Sequence, residues 1–200
     1  MRSPPSTRSS LSRRRGDRGA SLVDAALASP VFILLLLGVF EFGLAFRDYL
    51  TLTSATRAAA RSASVEGRNS YADYDVLQAI KSNTQTLANS GDLTHIVIFK
   101  ATGPDATLAN MGMNACLTTA SSTCNTYTAT DLARPQTDFA CGVSSPDRYW
   151  CPTTRKDRLG GPPDFVGVHI TILHHNPTGI FGSTKTFDDE TVMRIEPTAL

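Results

Sequence analysis

Ala25-Ala26-Leu27-Ala28-Ser29-Pro30-Val31-Phe32-Ile33-Leu34-Leu35-Leu36-Leu37-Gly38-Val39-Phe40-Glu41-Phe42-Gly43-Leu44-Ala45-Phe46 is the stretch on which the architecture turns. Apart from Ser29, Pro30, Gly38, Glu41 and Gly43 it is wholly apolar. A helix of about 22 residues rises about 33 Å, enough to cross the roughly 30 Å hydrocarbon core of a bilayer. A buried core helix is the alternative reading. The rest of the chain is too polar and too rich in loops to surround an all-apolar rod, so the run is expected to span a membrane.

The flanks set the expected orientation. Arg2, Arg8, Arg13, Arg14, Arg15 and Arg18 precede the run with only Asp17 against them, whereas Arg47, Arg57 and Arg61 after it are mixed with Asp48 and Glu66. An arginine excess on the first side holds that end in the cytoplasm and sends the rest of the chain outward. The overall net charge of +1 hides this asymmetry. The basic cluster is therefore a topology signal, and no nucleic-acid partner is expected. Residues 1–19, with Pro4, Pro5 and many serines, have little to bury and read as a disordered leader. A secretory signal would have a shorter apolar region and a small-residue cleavage site, and the exit Phe46-Arg47-Asp48-Tyr49 offers none.

Beyond the run, Tyr49 to Arg61 has no breaker and much alanine, so one transmembrane and stalk helix is expected over 20–66, stopped at Gly67-Arg68-Asn69-Ser70. A second helix fits Asp73 to Asn89, with Tyr74, Leu77, Ile80, Thr84 and Leu87 along its apolar stripe. Strands are expected over Thr94 to Lys100, over Phe165 to Leu173, where Val166, Val168, Ile170 and Ile172 share a face, and over Thr191 to Glu196. The long segment 103–163 is rich in Thr, Ser, Asn, Gly and Pro and needs something other than burial to order it. The fold class is thus α+β: an anchoring helix followed by an extracytoplasmic domain over 67–200 with a small antiparallel sheet.

All four cysteines, Cys116, Cys124, Cys141 and Cys151, fall in the half placed outside. An even count in an oxidising compartment predicts two disulfides. Three connectivities are possible. Closure of short loops favours Cys116 with Cys124 and Cys141 with Cys151. Zinc would want paired thiolates two to four residues apart, and that spacing is missing, so no metal is expected. His174-His175 would point to opposite faces of a strand, and His95 and His169 show no partner in the sequence. There is no nucleophile elbow and no phosphate-cradling glycine loop, so neither a catalytic set nor a cofactor is expected. Arg57 and Arg61, four apart, read as a solvated helix face. Glu41 stands near the outer end of the apolar run, where a carboxylate either meets a group on a partner helix or reaches the headgroups. Ile180-Phe181, inside the turn-rich Asn176-Pro177-Thr178-Gly179-Ile180-Phe181-Gly182-Ser183, is an apolar pair in a segment that is normally polar.

Several of these residues carry a family resemblance. Arg18-Gly19-Ala20-Ser21-Leu22-Val23-Asp24-Ala25-Ala26-Leu27, the apolar run with its early Pro30, the exit Val39-Phe40-Glu41-Phe42-Gly43 and the stretch Thr51 to Arg61 resemble the TadE/TadG-like proteins of tight-adherence (Flp, type IVc) pilus assembly. The later half resembles the actinobacterial members through Ile98-Phe99-Lys100, the cysteines and the close Val192-Met193-Arg194-Ile195-Glu196-Pro197. The resemblance implies a pseudopilin or minor pilin, held in the membrane, with pilin or pilus-assembly subunits as partners. It also implies a prepilin peptidase that would cut after Gly19, making Ala20 the first residue and Asp24 the fifth. Many members carry Glu-Phe where this chain has Asp24-Ala25. The competing readings are a membrane-tethered binding domain unrelated to pili and an unrecognised extracytoplasmic enzyme.

Overall fold

The structure, a computed structural model, describes residues 16–87, 92–158 and 161–197. Two compact units part between Phe42 and Gly43. That boundary falls inside one helix, α1 (Gly16–Glu66). The helix begins at Gly16, so its first turn takes in the end of the expected leader, whose residues 1–15 lie outside the described residues. In the first unit the side chains from Val31 to Leu37 are all exposed. Pro30 sits within the helix, where its missing N–H removes one backbone hydrogen bond.

In the second unit α1 changes character. Leu52, Ala55, Ala59, Ala60 and Ala63 are fully buried, a stripe at helical spacing whose small side chains let the helix lie close on a sheet. The helix stops at Glu66 because Gly67 takes the left-handed conformation, φ +51°, that glycine adopts without steric cost. After it come α2 (Ala72–Asn83), β1 (Leu93–Ala101), β2 (Cys124–Tyr127), β3 (Phe165–His175) and β4 (Thr184–Arg194). The strands form one antiparallel sheet in the order β2-β1-β3-β4.

The pleat sorts side chains to two faces. Ile96 and Ile98 of β1 with Val166, Val168, Ile170 and Ile172 of β3 pack against the alanine stripe of α1 and Val76, Leu77 and Ile80 of α2. Val97, Phe99 and Ala101 face the other way, into a second cluster with Ala106, Leu108 and the Cys116–Cys124 disulfide. The second disulfide joins Cys141 to Cys151. The β-sheet is therefore covered by helices on one side and by the looped segment after β1 on the other.

Phe99 lies directly across from Gly167, and a Cβ added to that glycine would stand 2.1 Å from the Phe99 ring. Gly167→Ala forces the ring or the strand to move, with an expected loss of about 1–3 kcal/mol. A lowered urea midpoint with an unchanged slope checks it.

Four expectations are corrected. α2 ends at Asn83 and not at Asn89, and its buried side is Ala72, Asp73, Val76, Leu77 and Ile80, so Tyr74 lies at its edge and Thr84 follows its end. Ala88 and Asn89 lie outside the described residues. The last strand begins seven residues early, at Thr184, because β4 hydrogen-bonds to β3 along its whole length even where its own residues are polar. Segment 103–163 contains a strand, β2, too short to show a period of two. The fourth correction concerns His169, whose ring meets Glu190 of β4; His174 likewise meets Asp48 of α1.

Candidate functional site

The apolar surface of α1 is the most unusual feature of the molecule. An 18-residue window of this helix has a mean hydropathy of 2.3, and none of it is buried. Phe32, Leu35, Val39, Phe40 and Phe42 are each more than half exposed. A monomeric soluble protein does not leave so large a continuous apolar area in water. By length and composition this helix is a candidate membrane span. At its start, Gly19, Ala20 and Asp24 are exposed and helical. At its other end Glu41 is 2% exposed, between Phe40 at 57% and Phe42 at 73%.

Within the second unit, α1 is tied to the sheet by polar contacts at two levels. Asp48, almost fully buried, accepts from Arg47 through one oxygen and faces His174 Nδ1 at 2.7 Å through the other. Sixteen residues on, the Ser64 hydroxyl donates to the carbonyl of Arg194, and Glu196 N–H donates to the carbonyl of Ser64. The helix thus runs alongside β3 and β4 from His174 to Arg194, and its register on the sheet is set by these contacts as well as by packing.

A buried charged node organises the segment after β2. Asp73, at the start of α2, forms an ion pair with Arg155, and both side chains are fully buried. The same carboxylate accepts from the Tyr127 hydroxyl at 2.7 Å and from the Asn125 amide at 2.8 Å. Asn125 also clasps Trp150, giving to its carbonyl and receiving from its N–H. The Arg155 guanidinium lies over the Trp150 ring, 4.3 Å from its centroid. Burial, with the Asp73 charge beside it, pushes the Tyr127 hydroxyl well above the usual tyrosine range. Next to it Asp147 receives the N–H groups of Ala140 and Cys141, while its own burial raises its pKa. These contacts suit a structural brace: the buried charges of Asp73 and Arg155 offset each other, although Arg155 Nε and Nη1 have no hydrogen-bond partner among the described residues.

A groove of about 510 Å³ is lined by Leu108, His169, Thr171, Asp188 and Glu190 among others. Its histidine is engaged at both nitrogens, by Glu190 at 3.1 Å and by Thr171 at 3.2 Å, and Glu190 also receives the Leu108 N–H. This set fastens the loop after β1 to the sheet. Among the described residues no group of three or more His, Cys, Asp and Glu side chains is placed to share a metal ion. All four cysteines are in disulfides. The node on Asp73 and the Asp48–His174 pair were not legible in the sequence. Only the lone tryptophan between Arg148 and Arg155 hinted that cations would need aromatic cover.

Residues 19–61 match the family model described as TadE-like protein. The matched stretch comprises the exposed apolar part of α1 and most of the buried alanine stripe. No curated protein and no solved structure matches the chain.

Proposed function

We propose that this chain is a membrane-anchored pseudopilin or minor pilin acting in tight-adherence pilus assembly or secretion, with its α+β domain outside the cytoplasm. The observation that carries the reading is the coincidence of the TadE-like match with a helix that is bare over its first half and forms the core of a folded domain over its second. A subunit that joins a helical filament needs such a helix, because the apolar half packs on neighbouring helices once it leaves lipid. The arginine-rich N-terminal residues and the two disulfides support an outward-facing domain. Partners of this reading are pilin or pilus-assembly subunits. Fractionation tests it: the protein is expected in the membrane fraction and in sheared filaments. Its absence from filaments, together with failure to co-purify with any pilin, overturns the assembly role.

Processing by a prepilin peptidase belongs to the same proposal. Cleavage after Gly19 removes the basic leader and leaves the apolar helix on the product, with Asp24 as its fifth residue. A carboxylate in apolar surroundings is stabilised by a nearby amine, and the new N-terminus of a neighbouring subunit supplies one. Intact mass of the membrane-extracted protein is expected to show loss of residues 1–19. A full-length mass from cells with an active peptidase rules the cut out.

A further inference from the structure

The hairpin between β3 and β4 carries an apolar tip. Its last strand pair is His175 with Thr184. Beyond it, Asn176 N–H donates to the Ser183 carbonyl at 2.9 Å, Asn176 Nδ2 donates to the Gly182 carbonyl at 2.8 Å, and Gly182 N–H donates to the Gly179 carbonyl at 3.2 Å. Gly179 and Gly182 both hold positive φ, which glycine alone tolerates freely. The apex is thus a built turn that presents Ile180 and Phe181 outward. Their exposures are 44% and 71%, so neither plugs the core of its own domain.

Where this tip lies follows from the two levels at which α1 meets the sheet. Ser64 stands beside Arg194, and Asp48 stands beside His174. Tyr49 meets Phe187 edge to face, with ring centroids 6.0 Å apart, at the same end. β3 therefore runs toward the N-terminal side of this half of α1, and its hairpin is at the end of the unit where Gly43 leads into the apolar run. Two cations border that end: Lys185, over the Phe187 ring, and the half-exposed Arg47. Of its acidic neighbours, Asp48 with Arg47 and His174, and Asp92 near His175, are buried, while Asp188 beyond Phe187 on β4 is exposed. An aromatic and an aliphatic side chain on a fixed turn, rimmed by cations, suit the headgroup boundary of an anionic bilayer.

We propose that Ile180 and Phe181 enter the interface of the same membrane that α1 crosses, as a second and shallow point of attachment. The inference rests on the anchoring role of α1. The test uses the full chain reconstituted into phosphatidylcholine–phosphatidylglycerol vesicles, with Phe181→Trp as the reporter. Trp150 is buried, so emission of the unsubstituted chain is the reference for the added indole. The expected result is a blue-shifted added emission, lost when the lipids are brominated on the upper acyl chain and unaffected by aqueous iodide. Emission typical of water and quenched by iodide overturns the proposal. So does a blue shift that fades as protein is diluted with lipid, since a second protein copy then covers the tip. Flotation of the vesicles separates the two readings: a chain that floats with an unquenched tip sinks this proposal alone, and a chain that fails to float sinks the anchor as well. The double variant Ile180→Ser with Phe181→Ser is expected to keep its urea midpoint, and a large drop means that the pair belongs to the core.

Discussion

Asp73→Ala is expected to destabilise the sheet-bearing unit by about 3–5 kcal/mol, because it leaves the fully buried Arg155 guanidinium without its counter-charge. The same change strands the Tyr127 hydroxyl and one donor of the Asn125 amide, both on fully buried residues. Domains of this size are stable by only about 5–15 kcal/mol, so the variant is expected to be partly unfolded at physiological temperature. The single tryptophan is part of the node, which makes its fluorescence in urea a direct readout on the detergent-solubilised chain. Asp75→Ala is the control. That carboxyl is only partly buried, and burial and the Glu66 charge raise its pKa, so its loss is expected to be neutral or slightly stabilising. Equal midpoints for the two variants would show that the node is not the brace described.

The node also sets an alkaline limit. The folded Tyr127 holds its proton well above the range in which an unfolded tyrosine ionises. The folded chain then binds more protons than the unfolded one, so this contribution is complete below pH about 10 and declines as pH rises beyond it. The urea midpoint is expected to fall on that side.

Reduction of both disulfides is expected to cost about 5 kcal/mol in all, from loop-closure contributions of roughly 2–3 kcal/mol for each short loop. The bridges close loops with sequence separations of 8 and 10 residues; Cys116 and Cys124 sit in the second core cluster whereas Cys141 and Cys151 are half-buried outside it, so their effects are expected to add. Cys116 and Cys124 are themselves core residues of the second cluster, and their bridge holds the loop that covers that face. Cys141–Cys151 restrains a stretch where Ala140 and Cys141 both take positive φ, a conformation costly without glycine. Urea unfolding with and without reductant, compared with Cys116→Ser/Cys124→Ser and Cys141→Ser/Cys151→Ser, checks the sum. A reduced chain that keeps its midpoint would refute the assignment of order in segment 103–163 to these bridges.

What could be read from residue order alone was whatever depends on near neighbours. Hydropathy over Ala25 to Phe46 decides that one helix is apolar throughout. The alternation at Val166, Val168, Ile170 and Ile172 decides which face of β3 is inside. The absence of a breaker from Tyr49 to Glu66 lets the helix continue, and the positive φ of Gly67 ends it. The polar interior was not available in that way. Asp73 meets Asn125 across 52 positions and Arg155 across 82, and Asp48 meets His174 across 126. In sequence Asp73 is an unremarkable acid in the first turn of a helix, and Arg155 one of several basic residues in a loop. The first part of β4 is legible only through its partner, since Thr184 to Glu190 is polar apart from Phe187 and becomes a strand because β3 offers it hydrogen bonds. Local hydrophobic pattern therefore determined the anchor, the helix that continues it and the central strand. Tertiary structure alone decided which charges are buried together, because a buried charge is tolerated only where folding brings its partner within hydrogen-bond reach.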